Sequence, residues 1–381
     1  MNERNSTGSR IRVLVTDDSA FMRTALARMI QSDPALEVIG TAVNGREALE
    51  KIAQLDPDVV TLDIEMPQLD GLGVLRRLQE ENPKPVIMIS SLTQEGAEAT
   101  LEAFDLGAFD CIAKSLSYAT LDILQIRDEL VEKIKAASQS RMWIQRPRHS
   151  PGAPRAPLSA AKPVTAVHRP RRREGPVPSV VAIGTSTGGP KALQQILPML
   201  PRDLSAGVAI VQHMPQGFTR PFAQRLNGLS QIEIREAEDG ESIRAGVALL
   251  APATWHMTFF RKSATQIGVR LGKEPSSALH RPSVDVMMLS AAEICGPHAM
   301  GVIMTGMGAD GALGMKMIHE RGGFTVGQDE TSCAVYGMPR ACAEMGILDR
   351  VVPLAHIPEE IVQATCPQEK VSEYAPAKHE A

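Results

Sequence analysis

The first third of the chain alternates short apolar runs with segments of helical periodicity. Between residues 11 and 135 the apolar runs include IRVLVT, LEVIGTA, DVVTLD and PVIMISS, and segments such as FMRTALARMI and REALEKIAQL stand between them. Runs of this length favour buried strands, whereas apolar residues that recur every three or four positions favour amphipathic helices. This alternation predicts an α/β domain with a doubly wound parallel sheet of five strands and five helices.

The region 179–360 shows the same kind of alternation. The runs VVAIGT, GVAIVQ and GVIMT are apolar and stop at glycines or polar residues, and helical segments such as GGPKALQQI follow. We therefore expect a second α/β domain here, doubly wound and with a mainly parallel sheet.

A segment of different composition separates the two regions. Residues 141–178 contain nine basic residues, one acidic residue and eight prolines, with little apolar periodicity. Such a segment cannot bury a core, so it predicts an extended linker between two domains. Its basic cluster at 169–173 is expected to face the N-terminal region, where 23 acidic residues outnumber 14 basic ones over residues 1–140. The polar end of the chain, 365–381, is predicted to be a disordered tail.

Composition also bears on the cellular compartment. The chain has no run of eighteen apolar residues, and its start, MNERNSTGSR, has no apolar core of a signal peptide. Its five cysteines are odd in number and form no C-x-x-C pair, which argues against a disulfide framework and a zinc site. We expect a cytoplasmic protein that does not insert into membranes.

Acidic and polar residues follow several strands of the predicted N-terminal sheet. The strand ends carry Asp17, Asp18, Asp63, Ser90 and Lys114. The carboxyl ends of parallel strands meet at one rim, and three close carboxylates need a cation to stay ionised together. Mg²⁺ would serve, and beside it a carboxylate can accept a phosphoryl group. Taken singly, the aspartates could equally be turn or cap residues.

The motifs VLVTDDSAFMR, VVTLDIEMPQLDG and the lysine of CIAK resemble the receiver domain of two-component response regulators over residues 11–135. The resemblance implies that Asp63 is the phosphoacceptor and that Asp17, Asp18 and the Glu65 carbonyl help to hold Mg²⁺. It also implies that Ser90 and Lys114 respond to the phosphoryl group. The chain departs from the family at Cys111, where receivers carry an aromatic switch residue.

In the second region, VAIGTSTGGPKAL raises the question of what Ser186 does. The pattern is G-x-S-x-G at a strand-to-helix turn, which can expose a nucleophilic serine. A P-loop would need a lysine where Pro190 stands, and a dinucleotide fingerprint would need a glycine at Ser186. A helix cap without chemistry is the alternative, because serine and threonine are favoured at N-caps.

A nucleophilic serine needs a base and an acid that orients the base. His213 follows the apolar strand GVAIVQ, and Asp310 lies in the glycine-rich turn TGMGADG after another apolar strand. Since consecutive parallel strands end at the same rim, the three side chains are predicted to converge. The chain order Ser, His, Asp differs from that of α/β-hydrolases.

The segments IGTSTGGPKAL, QHMPQGFTRPFAQRL, HRPSVDVM and GVIMTGMGADGA resemble the catalytic domain of the chemotaxis protein-glutamate methylesterases over 179–360. The resemblance implies Ser186 as nucleophile, His213 as base, Asp310 as orienting acid, and backbone amides near Thr187 and Met307 as oxyanion donors. We also expect His280, Arg281 and Ser283 to line the cleft, although Ser283 could instead only cap the helix that holds Asp285. The resemblance also implies cofactor-free hydrolysis of glutamyl methyl esters, and deamidation of glutamines, on methyl-accepting chemotaxis receptors. A chemotaxis histidine kinase would be the phosphodonor.

Two other functions are compatible with a receiver domain followed by a second domain. A nucleic-acid-binding output domain would need a basic helical face, but residues 179–360 are slightly acidic and contain no helix-turn-helix pattern. We therefore expect no nucleic-acid partner. A receptor-binding adaptor with a vestigial triad remains open at this point.

Overall fold

A computed structural model describes residues 10–114, 120–140 and 175–366. Most of the predicted linker 141–178 and nearly all of the predicted tail 365–381 lie outside the described residues, so those boundaries stay predictions. The last described helix ends at Thr365, the first residue of the predicted tail. Among the described helices, none combines the length and apolar character that a bilayer crossing requires.

The N-terminal domain contains one fully parallel sheet, with strand order β2-β1-β3-β4-β5. Its strands are β1 (Ile11–Thr16), β2 (Leu36–Ala42), β3 (Val59–Asp63), β4 (Val86–Ser90) and β5 (Asp110–Ala113). Its helices are α1 (Ala20–Gln31), α2 (Gly45–Leu55), α3 (Gly71–Glu81), α4 (Gln94–Asp105) and α5 (Thr120–Gln139). The predicted five-stranded doubly wound architecture is confirmed.

Local sequence explains where these helices begin. Helices α1 to α4 each follow a residue whose side-chain oxygen accepts a hydrogen bond from an amide of the first turn; these N-caps are Ser19, Asn44, Asp70 and Thr93. Such caps satisfy amides that have no partner within the helix. From the neighbouring strands β1 and β3 the chain continues in opposite directions along the sheet. A crevice therefore forms at the carboxyl ends of these two strands.

The C-terminal domain is built on a seven-stranded sheet of order β15-β14-β13-β6-β7-β10-β8, in which every neighbouring pair is parallel. Its strands are β6 (Val180–Thr185), β7 (Gly207–Gln212), β8 (Glu233–Glu236), β10 (Val247–Leu250), β13 (Ala299–Ile303), β14 (Phe324–Gln328) and β15 (Arg350–Val352). Its helices are α6 (Gly189–Ile196), α7 (Thr219–Leu229), α8 (Val284–Cys295), α9 (Ala312–Glu320), α10 (Met338–Glu344) and α11 (Ile357–Thr365).

A small antiparallel sheet accompanies the large parallel one, so the strands of this domain are mainly parallel, as predicted. It contains β11 (His256–Arg261), β12 (Ile267–Gly272) and β9 (Ser242–Ile243), in the order β11-β12-β9. Strand β11 packs on α8, where the Phe259 amide donates to the Ser290 hydroxyl over 3.0 Å. The small sheet therefore supports helix α8 from one side.

The two domains are in contact through α4 and α5. Asp105 at the end of α4 forms an ion pair with Arg225 of α7 and accepts a 2.9 Å hydrogen bond from Gln194 of α6. Residues of α5 line a cleft of about 710 Å³ whose opposite wall includes Met307–Ala309 and residues of α10. The N-terminal domain thus lies beside the loop that follows β13.

Candidate functional site

Strand order brings three chain segments together at one edge of the large sheet. Strand β6 lies between β13 and β7. Ser186 follows β6, His213 follows β7, and Asp310 lies in the loop after β13. A crevice forms where connections leave a parallel sheet on opposite sides, and the three predicted residues meet there.

Ser186 sits on a tight turn between β6 and α6. Its amide donates to the Thr305 carbonyl over 3.0 Å, and its own carbonyl accepts from the Gly189 amide over 2.8 Å. Gly188 has φ of 77°, in the left-handed region that glycine adopts without steric strain. The turn therefore fixes the serine backbone against the segment that follows strand β13.

His213 bridges the other two residues. Its Nδ1 atom lies 3.2 Å from Ser186 Oγ, and its Nε2 atom lies 2.9 Å from Asp310 Oδ2. An ionised carboxylate only accepts hydrogen bonds, so the proton of the neutral ring is on Nε2. This tautomer leaves the Nδ1 lone pair directed at the serine hydroxyl.

Asp310 is held by the first turn of α8. Its Oδ1 atom accepts from the Ser283 hydroxyl at 2.8 Å and the Asp285 amide at 3.0 Å, and its Oδ2 atom accepts from the Val284 amide at 2.7 Å. Burial works to raise the pKa of this carboxyl, but the hydrogen bond and charge of His213 and the two amides outweigh burial and bring the pKa to about 2. Asp310 is consequently ionised across the neutral range.

The predicted oxyanion donors, Thr187 and Met307, belong to two loops that are tied together. The Thr305 hydroxyl donates to the Thr187 carbonyl over 2.9 Å, and the Val335 amide donates to the Thr305 hydroxyl over 3.0 Å. Neither the Thr187 nor the Met307 amide donates to an acceptor among the described residues. Both amides therefore remain available to an external oxygen.

Gln212 is a further residue of this site that was not predicted as functional, whereas His280 was expected to line the cleft. Gln212 is buried, and its amide group donates to the carbonyls of Ser186 at 3.0 Å and His213 at 2.8 Å, which ties the two loops. His280 stacks on His213 with ring centroids 4.2 Å apart. Burial lowers the pKa of His280, and the nearby His213 lowers it further. A polar residue at the last position of an apolar strand was the available signal for Gln212. The motif HRPSVDVM was the signal for His280 at the cleft, but it does not predict the stacking on His213.

In the N-terminal domain the predicted acidic residues converge as well. Asp17, Asp18 and Asp63 each offer a carboxylate oxygen, and these oxygens lie within 4.8 Å of one another. The Lys114 ammonium lies 3.0 Å from Asp17 Oδ2 and 2.7 Å from Asp63 Oδ2. Both of these carboxylate oxygens are buried. A set of oxygen donors at this spacing fits a hard divalent cation, so the cluster is consistent with a Mg²⁺ site.

The electrostatics of this cluster follow from burial and crowding. Burial raises the pKa of Asp63 to about 6, the Asp17 charge adds to the increase, and the hydrogen bond from Lys114 opposes it. Burial favours the neutral form of Lys114, but its contacts with Asp63 and Asp17 leave its pKa raised. Asp63 is therefore a carboxylate whose charge is costly without a cation.

Glu65 and Ser90 border this cluster. The Glu65 amide donates to Asp63 Oδ1 over 3.3 Å, and its exposed side chain accepts from the Ser91 hydroxyl. The buried Ser90 hydroxyl donates to the Gly96 carbonyl over 3.0 Å and accepts from Thr100 over 2.8 Å. Ser90 thus connects the end of β4 to α4, the helix that contacts the C-terminal domain.

The chain is similar to proteins of two known families. Residues 181–361 match the CheB methylesterase family, and residues 13–124 match the response regulator receiver domain family. The chain is 46% identical over 366 residues to protein-glutamate methylesterase/protein-glutamine glutaminase 1 of Oleidesulfovibrio alaskensis, covering 93% of this chain and 99% of that protein. It is 45% identical over 361 residues to the protein-glutamate methylesterase/protein-glutamine glutaminase of Pyrococcus abyssi, with 94% of each chain covered. The corresponding protein of Halalkalibacterium halodurans is 46% identical over 358 residues, covering 93% of this chain and 98% of that protein.

Proposed function

Because the chain belongs to the family of protein-glutamate methylesterases/protein-glutamine glutaminases with a response regulator receiver domain, we propose that it demethylates chemotaxis receptors in the cytoplasm. The substrates are glutamyl methyl esters, and selected glutamines, of methyl-accepting receptors. The observation that carries this proposal is the continuous contact of Ser186 with His213 and of His213 with Asp310.

The first half of the reaction forms an acyl-enzyme. Ser186 Oγ attacks the ester carbonyl carbon while His213 Nδ1 takes the hydroxyl proton. The Asp310 carboxylate holds the ring in place and stabilises the imidazolium that forms. When the tetrahedral intermediate collapses, the bond to the methoxy oxygen breaks and His213 returns the proton, so methanol leaves.

The second half restores the serine. Water attacks the acyl carbon, His213 accepts its proton, and collapse of the intermediate breaks the bond to Ser186 Oγ, which takes the proton back. The product is glutamate. A glutamine substrate follows the same steps with ammonia as the leaving group.

The oxyanion of both intermediates is stabilised by the amides of Thr187 and Met307. Support comes from the ties between their loops, which run through Thr305, and from the lack of another acceptor for either amide among the described residues. A preorganised donor of this kind contributes on the order of 3 kcal/mol to the transition state.

The receiver domain controls access to this site in the proposal. Asp63 accepts a phosphoryl group from a chemotaxis histidine kinase. Asp17, Asp18 and the Glu65 carbonyl would help to hold Mg²⁺, which would supply positive charge to balance the phosphoryl group. Lys114 pairs with the phosphoryl group, and Ser90 transmits the change to α4. Since α4 contacts α6 and α7, such a change would weaken the domain contact and open the cleft beside Met307.

The test is methanol release from methylated receptor membranes. Ser186→Ala should abolish release but leave phosphorylation of Asp63 intact, because the two sites are on different domains. A serine-directed covalent probe should label Ser186 in the unsubstituted protein. Unlabelled protein without methanol release, but with retained receptor binding, would instead identify an adaptor with a vestigial triad.

A further inference from the structure

His256 is a buried histidine whose hydrogen bond, from Ser283, is not to one of the three proposed catalytic side chains. It is the first residue of β11 and is fully inaccessible to solvent. Its Nδ1 atom accepts a 3.2 Å hydrogen bond from the Ser283 amide. Because an amide N–H can only donate, Nδ1 carries no proton, and the ring is the neutral Nε2–H tautomer.

Ser283 connects this histidine to the catalytic carboxylate. Its hydroxyl donates to Asp310 Oδ1 over 2.8 Å and accepts from the Val286 amide over 3.3 Å as the N-cap of α8. The next two amides, of Val284 and Asp285, also donate to Asp310. All polar groups of this turn that face the carboxylate are donors, so the position of the turn decides where Asp310 lies.

We propose that His256 is a positioning residue for hydrolysis: by accepting the Ser283 amide, it holds the turn that fixes Asp310 against His213. The inference rests on the proposed function, since it concerns the same reaction. His256 neither touches substrate nor moves a proton. It acts through Ser283 on the orientation of Asp310, and thereby on the tautomer and position of the base.

This arrangement has a consequence at acid pH. The charged groups that act on His256 are Arg281, which opposes a positive ring, and Asp310 and Glu274, which favour it. Burial, with the Arg281 charge, holds the pKa of His256 below its ordinary value. The ring is therefore neutral in the working range. As the pH falls through that lowered pKa, a proton on Nδ1 would remove the acceptor and set an N–H against the Ser283 N–H.

Two substitutions distinguish the role of His256 as a hydrogen-bond acceptor from the effect of its protonation. In His256→Asn, the side-chain oxygen can occupy the place of Nδ1 and accept the Ser283 amide, but it does not titrate. In His256→Leu, no acceptor remains and the amide is left buried without a partner. His319→Leu serves as a control, because His319 is a half-exposed histidine of α9 whose charged neighbour is Asp349, 3.6 Å away.

The assay is basal methanol release by the full chain without a phosphodonor, so that phosphorylation of Asp63 does not contribute to the rate. Any titration of the Asp63 carboxyl, whose pKa is about 6, is common to all the variants compared. At neutral pH, His256→Leu should lower kcat by about tenfold or more with KM unchanged. His256→Asn should stay within about threefold of the unsubstituted protein, and His319→Leu should match it.

The acid limb of the pH profile distinguishes positioning from a purely structural role. Protonation of His256 should stop the unsubstituted protein, so the acid limb of its logarithmic rate should be steeper than that of His256→Asn by about one unit of slope. A slope unchanged in His256→Asn, or a wild-type kcat in His256→Leu, would overturn the proposal. If His256→Leu fails to fold, the slope of His256→Asn decides alone. Absence of methanol release from the unsubstituted chain would instead refute the proposed function.

Discussion

The Nδ1 atom of His213 lies 3.2 Å from the Oγ atom of Ser186, and its Nε2 atom is bound to Asp310. In the proposed reaction, the lone pair that accepts the serine proton is therefore the one on Nδ1. This lone pair is free only while the Nε2–H group donates to the Asp310 carboxylate. The proposal therefore makes the charge of Asp310, and not only its shape, a requirement for hydrolysis.

Replacing Asp310 by asparagine should lower kcat about 10³- to 10⁴-fold. Both carboxylate oxygens accept from backbone amides, Oδ1 from Asp285 and Oδ2 from Val284. Either orientation of an asparagine would thus set its NH₂ group against an N–H, and an NH₂ group next to Nε2 would favour the inactive Nδ1–H tautomer. Methanol release per active site measures the effect.

A matched control is Asp349→Asn. Asp349 is also an acceptor for backbone and hydroxyl donors, both from Thr325, but it lies at β15, away from the site. This variant should lower the midpoint of thermal unfolding and leave kcat within about twofold. Equal losses of kcat in both variants would show that Asp310 acts on folding alone.

Breaking the ion pair between Asp105 and Arg225 should raise basal methanol release. The pair joins α4 to α7 across the domain contact, and both side chains are about one third exposed. Exposed pairs of this kind contribute up to about 1 kcal/mol, so Arg225→Ala should raise the unphosphorylated rate by no more than about fivefold. The rate with a phosphodonor should change less.

Arg220→Ala is the control for this change. Arg220 belongs to the same helix, but its partner is Glu236 of the same domain, 3.0 Å away. Its removal should leave the basal rate unaltered. A lower basal rate in Arg225→Ala would indicate that contact between the domains activates hydrolysis.

Adding one methyl group at Gly306 should displace the serine turn, because the position lies against Ser186. A Cβ atom there would overlap Met338 Sδ and lie 2.9 Å from Ser186 Cβ. Since Met338 begins α10 and Ser186 is the proposed nucleophile, the added methyl group would displace either the helix or the serine, and Gly306→Ala should reduce kcat by about tenfold or more. Steady-state methanol release, compared with the thermal midpoint, checks this expectation.

Gly228→Ala provides the comparison. This glycine is in α7, and a Cβ atom would meet nothing within 4 Å. The change should stabilise the helix by up to about 1 kcal/mol and leave kcat unaltered. A wild-type kcat in Gly306→Ala would mean that α10 can shift without harm to the serine turn.

The sequence by itself determined the two α/β domains and the strand ends that carry Ser186, His213 and Asp63. These features are local: apolar periodicity distinguishes strands from helices, and glycine and hydroxyl residues determine the turns between them. The resemblance to known families then supplied the roles that those positions suggest.

The sequence also predicted that the ends carrying Ser186, His213 and Asp310 converge, but only the tertiary structure decided the order of the strands and which atoms face one another. His213 and Asp310 are 97 positions apart, and they touch because β6 lies between β7 and β13. The stack of His280 on His213 and the support of Ser283 by His256 likewise join segments that no local pattern connects. Strand order and ring orientation depend on packing between distant segments, whereas the periodicity of a sequence records only the environment of its neighbours.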